Sequence, residues 1–96
     1  MIVERVLMPV TPGSEADFEA AMTQARVVVA QAKGFRSIRV TRGIESPSTY
    51  LLLIEWDTVE DHMVGFRESE AFQQWRALIG PFFAEPPAVE HYTPID

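Results

Sequence analysis

The chain has no cysteine and no asparagine, and its basic residues are few: 8 Lys and Arg against 14 Asp and Glu give a formal charge of −6 over 96 residues. Without cysteine there is no disulfide scaffold, no CxxC redox pair, no thiolate metal cluster and no thiol nucleophile. The scattered basic residues leave no electrostatic footprint for a phosphate backbone, which excludes nucleic acid as an expected partner. No apolar run approaches the roughly 20 residues needed to cross a bilayer, so no membrane association is expected. The start, MIVERVLMPV, lacks the features of a signal peptide, and the expected compartment is the cytoplasm.

What is present is a high apolar content, 47% of residues, with ordinary charge content, which is the composition of a folded domain. The expected organisation is a single domain over residues 1–96. A chain of this length buries only about two-thirds of its unfolded surface, so a second copy covering apolar surface is expected from the outset.

Ile2 to Val10 reads as a strand ending at Thr11-Pro12-Gly13. Ser14, with Asp17 three residues on, has the spacing of a helix cap. Phe18, Ala21, Met22, Ala25, Val28, Val29 and Ala32 then recur at three- and four-residue intervals, which predicts a helix to about Lys33 closed by Gly34. Phe35–Arg42 alternates as a strand, with Phe35, Ser37, Arg39 and Thr41 on one face. The run TYLLLIEW, Thr49–Trp56, is nearly continuous in apolar residues and predicts a strand covered on both faces. Thr58 and Ser69 each have the position of a cap for a further short helix, and Ala88 to Thr93 suits a last strand. The order is βαββααβ. Four strands with helices on one face leave the other face open, and two such sheets packed together would close a two-fold α+β barrel.

Gly34-Phe35 opening the second strand, Trp56 closing the third and the segment FRESEAFQQW from Phe66 to Trp75 resemble the antibiotic biosynthesis monooxygenase family. The likeness runs from Val3 to Tyr92. It implies an α+β, ferredoxin-like fold with a four-stranded antiparallel sheet, helices on one face, and a homodimeric α/β barrel. It also implies cofactor-independent oxygenation of a small aromatic substrate, such as a quinol, anthrone or phenol, in a pocket between helices and sheet. Haem-degrading members resemble one another in an Asn on the first strand and a His on the last helix. This chain has no Asn and carries Trp75 and Arg76 near the second place, so that route is not expected. Anthrone-oxygenating members likewise pair an Asn with a Trp, and Trp56 here lacks that partner. The position of a histidine found in many members aligns with Phe66, and His62 lies one turn earlier.

The candidate catalytic residues are therefore His62, as a base titrating near neutrality, and Tyr50, as a group that could hold a substrate oxygen. Phe66, Trp75, Arg76 and Phe83 are the candidate substrate-binding residues, the aromatics for stacking on a flat ring and Arg76 as an anchor. Each has a plainer reading: His62 as a half-buried histidine bonded to Asp61 or Glu60, the aromatics as core, Tyr50 as a sheet-surface aromatic, and His91 as an edge or interface residue. Arg36, Arg39 and Arg42 are read as pairing with Glu4, Glu45 or Glu55 across the sheet. No cofactor and no metal are expected, two distant histidines being a poor chelating set. The alternatives to an oxygenase are a non-catalytic small-molecule-binding or stress-related barrel dimer, and an isomerase or lyase using the same pocket.

Overall fold

β-branched and leucine-rich segments alternate with helical periods along this chain, and each forms the element its pattern dictates. The computed structural model describes all 96 residues. Its elements are β1 (Ile2–Pro9), α1 (Glu15–Val29), β2 (Phe35–Arg42), β3 (Thr49–Trp56), α2 (Asp61–Phe66), α3 (Glu70–Ile79) and β4 (Ala88–Tyr92), with one 3₁₀ turn, Gly80–Phe82, after α3. The strands form one antiparallel sheet in the order β2-β3-β1-β4, with β3 and β1 inside.

Side chains alternate across a strand, and here the alternation separates two environments. Tyr50, Leu52, Ile54 and Trp56 of β3, with Glu4, Val6 and Met8 of β1, are buried beneath the helices. They meet Phe18, Met22, Ala25 and Val29 of α1, Phe66 of α2 and Trp75 and Ile79 of α3, and α1 packs on α3. Leu51 and Leu53 lie on the other face and are only half-buried. TYLLLIEW is thus covered by helices on one side, and within one chain nothing covers the other.

Local chemistry departs from expectation in four places. α1 ends at Val29, not at Lys33, and the chain turns through Ala30–Lys33 to Gly34 at φ +84°. Glycine is required there twice over, since a Cβ would run into the Asp61 side chain. Ser14 does not cap α1 with its side chain; the neighbouring Glu15 closes the turn instead, accepting from the Gly13 N–H at 2.9 Å. A bulge between Phe35 and Ser37 shifts the β2 register and swings Phe35 onto the helix side, where it meets Trp56 edge-on with ring centres 6.0 Å apart. Finally, α2 is wound more loosely than an α-helix: the Arg67 N–H reaches the His62 carbonyl five residues back at 2.9 Å. Thr58 does act at its start, accepting from the Asp61 N–H at 3.1 Å. Ser69 caps α3 by accepting from the Phe72 N–H.

Candidate active site

Strand alternation carries Glu4 to the same face as Val6 and Met8, under the helices rather than toward the β2 arginines. Those arginines find other partners, Arg36 on Asp57 and Arg42 on Glu19. The pairing of Glu4 with them that the sequence suggested is therefore corrected. A carboxyl group in an apolar row must be satisfied where it lies, and three elements converge to do so. Trp56, at the end of β3, donates its Nε1–H to Glu4 Oε1 at 2.9 Å. His62, on the first turn of α2, sets its Nε2 3.4 Å from Glu4 Oε2. The β1–β4 register pairs Glu4 directly with His91, whose Nε2 lies 2.9 Å from His62 Nδ1. The His62 ring stacks on Trp56, with centres 5.3 Å apart and planes 26° apart.

Both inner groups are almost wholly shielded, Glu4 being 4% and His62 5% exposed. Burial raises the Glu4 carboxyl to about 7, against the opposing pulls of the Trp56 hydrogen bond and the Arg67 charge. Burial likewise lowers His62, to about 4, with His91 and Arg67 acting in the same direction. Burial thus favours the uncharged form of both groups, the neutral ring of His62 and the protonated carboxyl of Glu4. The expected partners of His62, Asp61 and Glu60, are replaced by Glu4 and His91.

Glu4 and His62 line an open cleft of about 1120 Å³ between sheet and helices. Of the residues expected from sequence, His62, Phe66, Trp75, Arg76 and Phe83 all line it. Phe66 is tilted against Trp56 and edge-on to Phe72 and Trp75. Tyr50 does not line it. Its ring packs on Phe18 with centres 4.6 Å apart, and its hydroxyl donates to Glu19. Burial, then Glu19, pushes that phenol up to about 12. Glu4 is the residue that sequence reasoning missed. Its signal was present: in Ile2–Pro9 it shares a parity with Val6 and Met8, and a lone acid on an apolar face marks a desolvated carboxyl. No group of three or more metal-ligating side chains is present, and no helix is long and apolar enough to cross a membrane.

A four-stranded antiparallel sheet with helices on one face is a ferredoxin-like α+β fold. The chain belongs to the antibiotic biosynthesis monooxygenase family, whose model matches residues 1–78. It is similar over 98% of its length, at 47% identity and a TM-score of 0.95, to 96% of a Bordetella bronchiseptica protein solved as a member of that family. It is 37% identical over 95 residues, 99% of this chain and all of the relative, to YczJ of Bacillus subtilis (strain 168), itself uncharacterized. The fold is also that of SnoaB, a cofactor-independent oxygenase from Streptomyces nogalater, at 15% identity and a TM-score of 0.81 over 99% of this chain and 93% of that one.

Proposed function

We propose that the protein is a cofactor-independent monooxygenase acting on a small aromatic substrate with an acidic C–H or O–H, and that Glu4 is its base. The observation that carries this reading is a desolvated carboxyl group, raised to about 7, in the wall of an aromatic cleft. A base is most effective when its pKa lies near the working pH. Glu4 takes the substrate proton, and the electron-rich anion passes an electron to O₂. Recombination and loss of water convert an activated CH₂ to C=O. The balance closes without an external reductant: the carbon gives up four electrons, and O₂ receives them as one carbonyl oxygen and one water. Phe66, Trp75 and Phe83 supply stacking surface and exclude water, and Arg76 is positioned at the cleft wall to anchor a substrate oxygen. Neutral His62 orients the Glu4 carboxyl. The same fold supports cofactor-independent oxygenation in SnoaB.

The reading includes a homodimer. The open sheet face carries Val3, Leu7, Leu51 and Leu53 between Arg5, Arg39, Glu55 and Glu90, and a second copy laid face to face would bury roughly 1,600 Å² or more in total. Light scattering at micromolar concentration should give twice the chain mass, and a monodisperse monomer would contradict it.

Oxygen consumption by metal-analysed protein, measured against a panel of quinols, catechols and anthrones, tests the activity. Uptake lost in Glu4→Gln and reduced in His62→Ala is the expected result. Turnover of the same compounds without oxygen would replace the oxygenase with an isomerase or lyase. Tight binding without any turnover would leave a ligand-binding barrel.

A further inference from the structure

A buried proton acceptor that works repeatedly needs a path for its proton. Glu4 lines the cleft but is only 4% exposed; its Oε1 accepts from the Trp56 N–H, and the group beside its Oε2 is His62 Nε2 at 3.4 Å. The opposite ring nitrogen, Nδ1, lies 2.9 Å from His91 Nε2. His91 stands on β4, a five-residue strand at the edge of the sheet whose other residues are exposed. Burial thus falls along the line, from Glu4 and His62 inside to a partly exposed His91 at the edge, and no buried side-chain donor or acceptor is left without a partner.

We propose that Glu4, His62 and His91 form a proton relay, in which His91 is the outlet that connects the buried carboxyl group to solvent at the sheet edge. The proposal rests on the reading of Glu4 as the proton acceptor. A proton on Glu4 passes to His62 Nε2 while the proton on His62 Nδ1 passes to His91 Nε2, and His91 releases one from Nδ1 to water. One proton enters and one leaves, and each ring changes tautomer. Imidazole suits this step because its two nitrogens accept and donate at opposite sides. The charge that acts on both Glu4 and His62 is Arg67, just past α2; Arg76 on α3 and Glu85 are the other charged residues of the cleft lining. Glu90, next to His91, points to the other face and pairs with Arg5. His91 touches no substrate and acts through His62. It also lies outside residues 1–78, the span of the family model, so the outlet comes from a part of the chain that the family pattern does not describe.

The test needs no substrate. The chain has two histidines, so ring ¹⁵N spectra of histidine-labelled protein give two assignable residues. In His91→Gln the amide oxygen still accepts from His62 Nδ1–H but cannot pass a proton on. Exchange of the His62 ring proton with water should then slow by about a hundredfold, the low end of what a positioned proton carrier supplies, with the fold unchanged. Equal exchange rates in His91→Gln and the parent would overturn the relay. A second reading uses the parent protein itself: the His91 ring shifts should follow the Glu4 titration, and lose that inflection in Glu4→Gln. A single independent His91 titration would overturn the proposal as well. Intact coupling with no oxygen uptake on any substrate would remove the oxygenase and leave the relay, whereas Glu4-dependent uptake with free exchange in His91→Gln would do the reverse.

Discussion

Two clusters of the molecule hold carboxyl groups to opposite effect. In one, Glu4 meets Trp56, His62 and His91; in the other, Glu19 meets Tyr50 and Arg42, and Glu15 accepts from Ser48 at 2.6 Å. Each cluster includes a carboxyl group that accepts from an aromatic side chain, Glu4 from Trp56 and Glu19 from Tyr50, and the second adds Glu15. The difference is water. Glu15 lies at the surface, and its hydrogen bond from Ser48, before any other cause, lowers its carboxyl below the ordinary range, which keeps it a charged clamp between α1 and the β2–β3 connection. Glu4 has lost its hydration, and one indole N–H does not replace it, so its proton is held to about 7. The residue types at a site therefore say less about its chemistry than the solvent they have given up.

That contrast can be broken most sharply at the two carboxyl clusters. Glu4→Gln should lower turnover by about 10²–10⁴-fold, the usual contribution of a positioned base, while circular dichroism shows the fold kept. Tyr50→Phe, at the clamp, should leave turnover unchanged and cost about 1 kcal/mol of stability for its hydrogen bond, read from denaturant midpoints. Phe18→Ala, beneath Tyr50 and fully buried, should lose about 3–5 kcal/mol by the same measurement, without any change in the pH dependence of turnover.

The pH dependence of stability sharpens the comparison further, because the two inner groups work in opposite directions. Glu4 is raised from its ordinary 4.5 to about 7. Its contribution is fully present below 4.5, where folded and unfolded chains are both protonated, and is lost as pH rises to 7. His62 is lowered from 6.5 to about 4, and its contribution is present above 6.5 and lost as pH falls to 4. Between 4.5 and 6.5 the two oppose each other and the parent curve should be nearly flat. Glu4→Gln should expose the His62 slope, stability falling on acidification by up to about 1.4 kcal/mol per pH unit. His62→Asn should expose the reverse slope, stability falling toward pH 7. A flat curve in both variants would contradict the assignment. Gly34→Ala should destabilise by more than about 1 kcal/mol, through its positive φ and the clash of a Cβ with the Asp61 side chain, read from denaturant midpoints.

Much of the fold was legible in the sequence because period and punctuation agree in it. The apolar run TYLLLIEW, the Thr58 and Ser69 caps and the stripe from Phe18 to Val29 each specify one element, and the cleft aromatics Phe66 and Trp75 fall on the faces that the helical period gives them. The errors arose where one residue outweighs a pattern. The β2 bulge moved Phe35 across the sheet, and Ala30–Lys33 unwound because the chain must reach the Gly34 turn. The candidate site was half legible. His62 and the aromatics were found from a helix face, which is local. The pairing of His62 with Glu4 and His91 joins three elements separated by dozens of residues, and only the strand register brings them together. Tyr50 shares a strand with Trp56, but a strand extends, and six residues carried it away from the cleft to the clamp.

Whether Glu4 holds its proton to near neutrality is read directly by a pH titration of its side-chain carboxyl by ¹³C NMR, assigned by the signal missing from Glu4→Gln. The expected midpoint is near 7, accompanied by an inflection of the same midpoint in the His62 ring shifts. A midpoint at the ordinary 4.5, with His62 indifferent to it, would mean that Glu4 is a hydrated or ion-paired carboxylate, and the base in the cleft would have to be sought elsewhere.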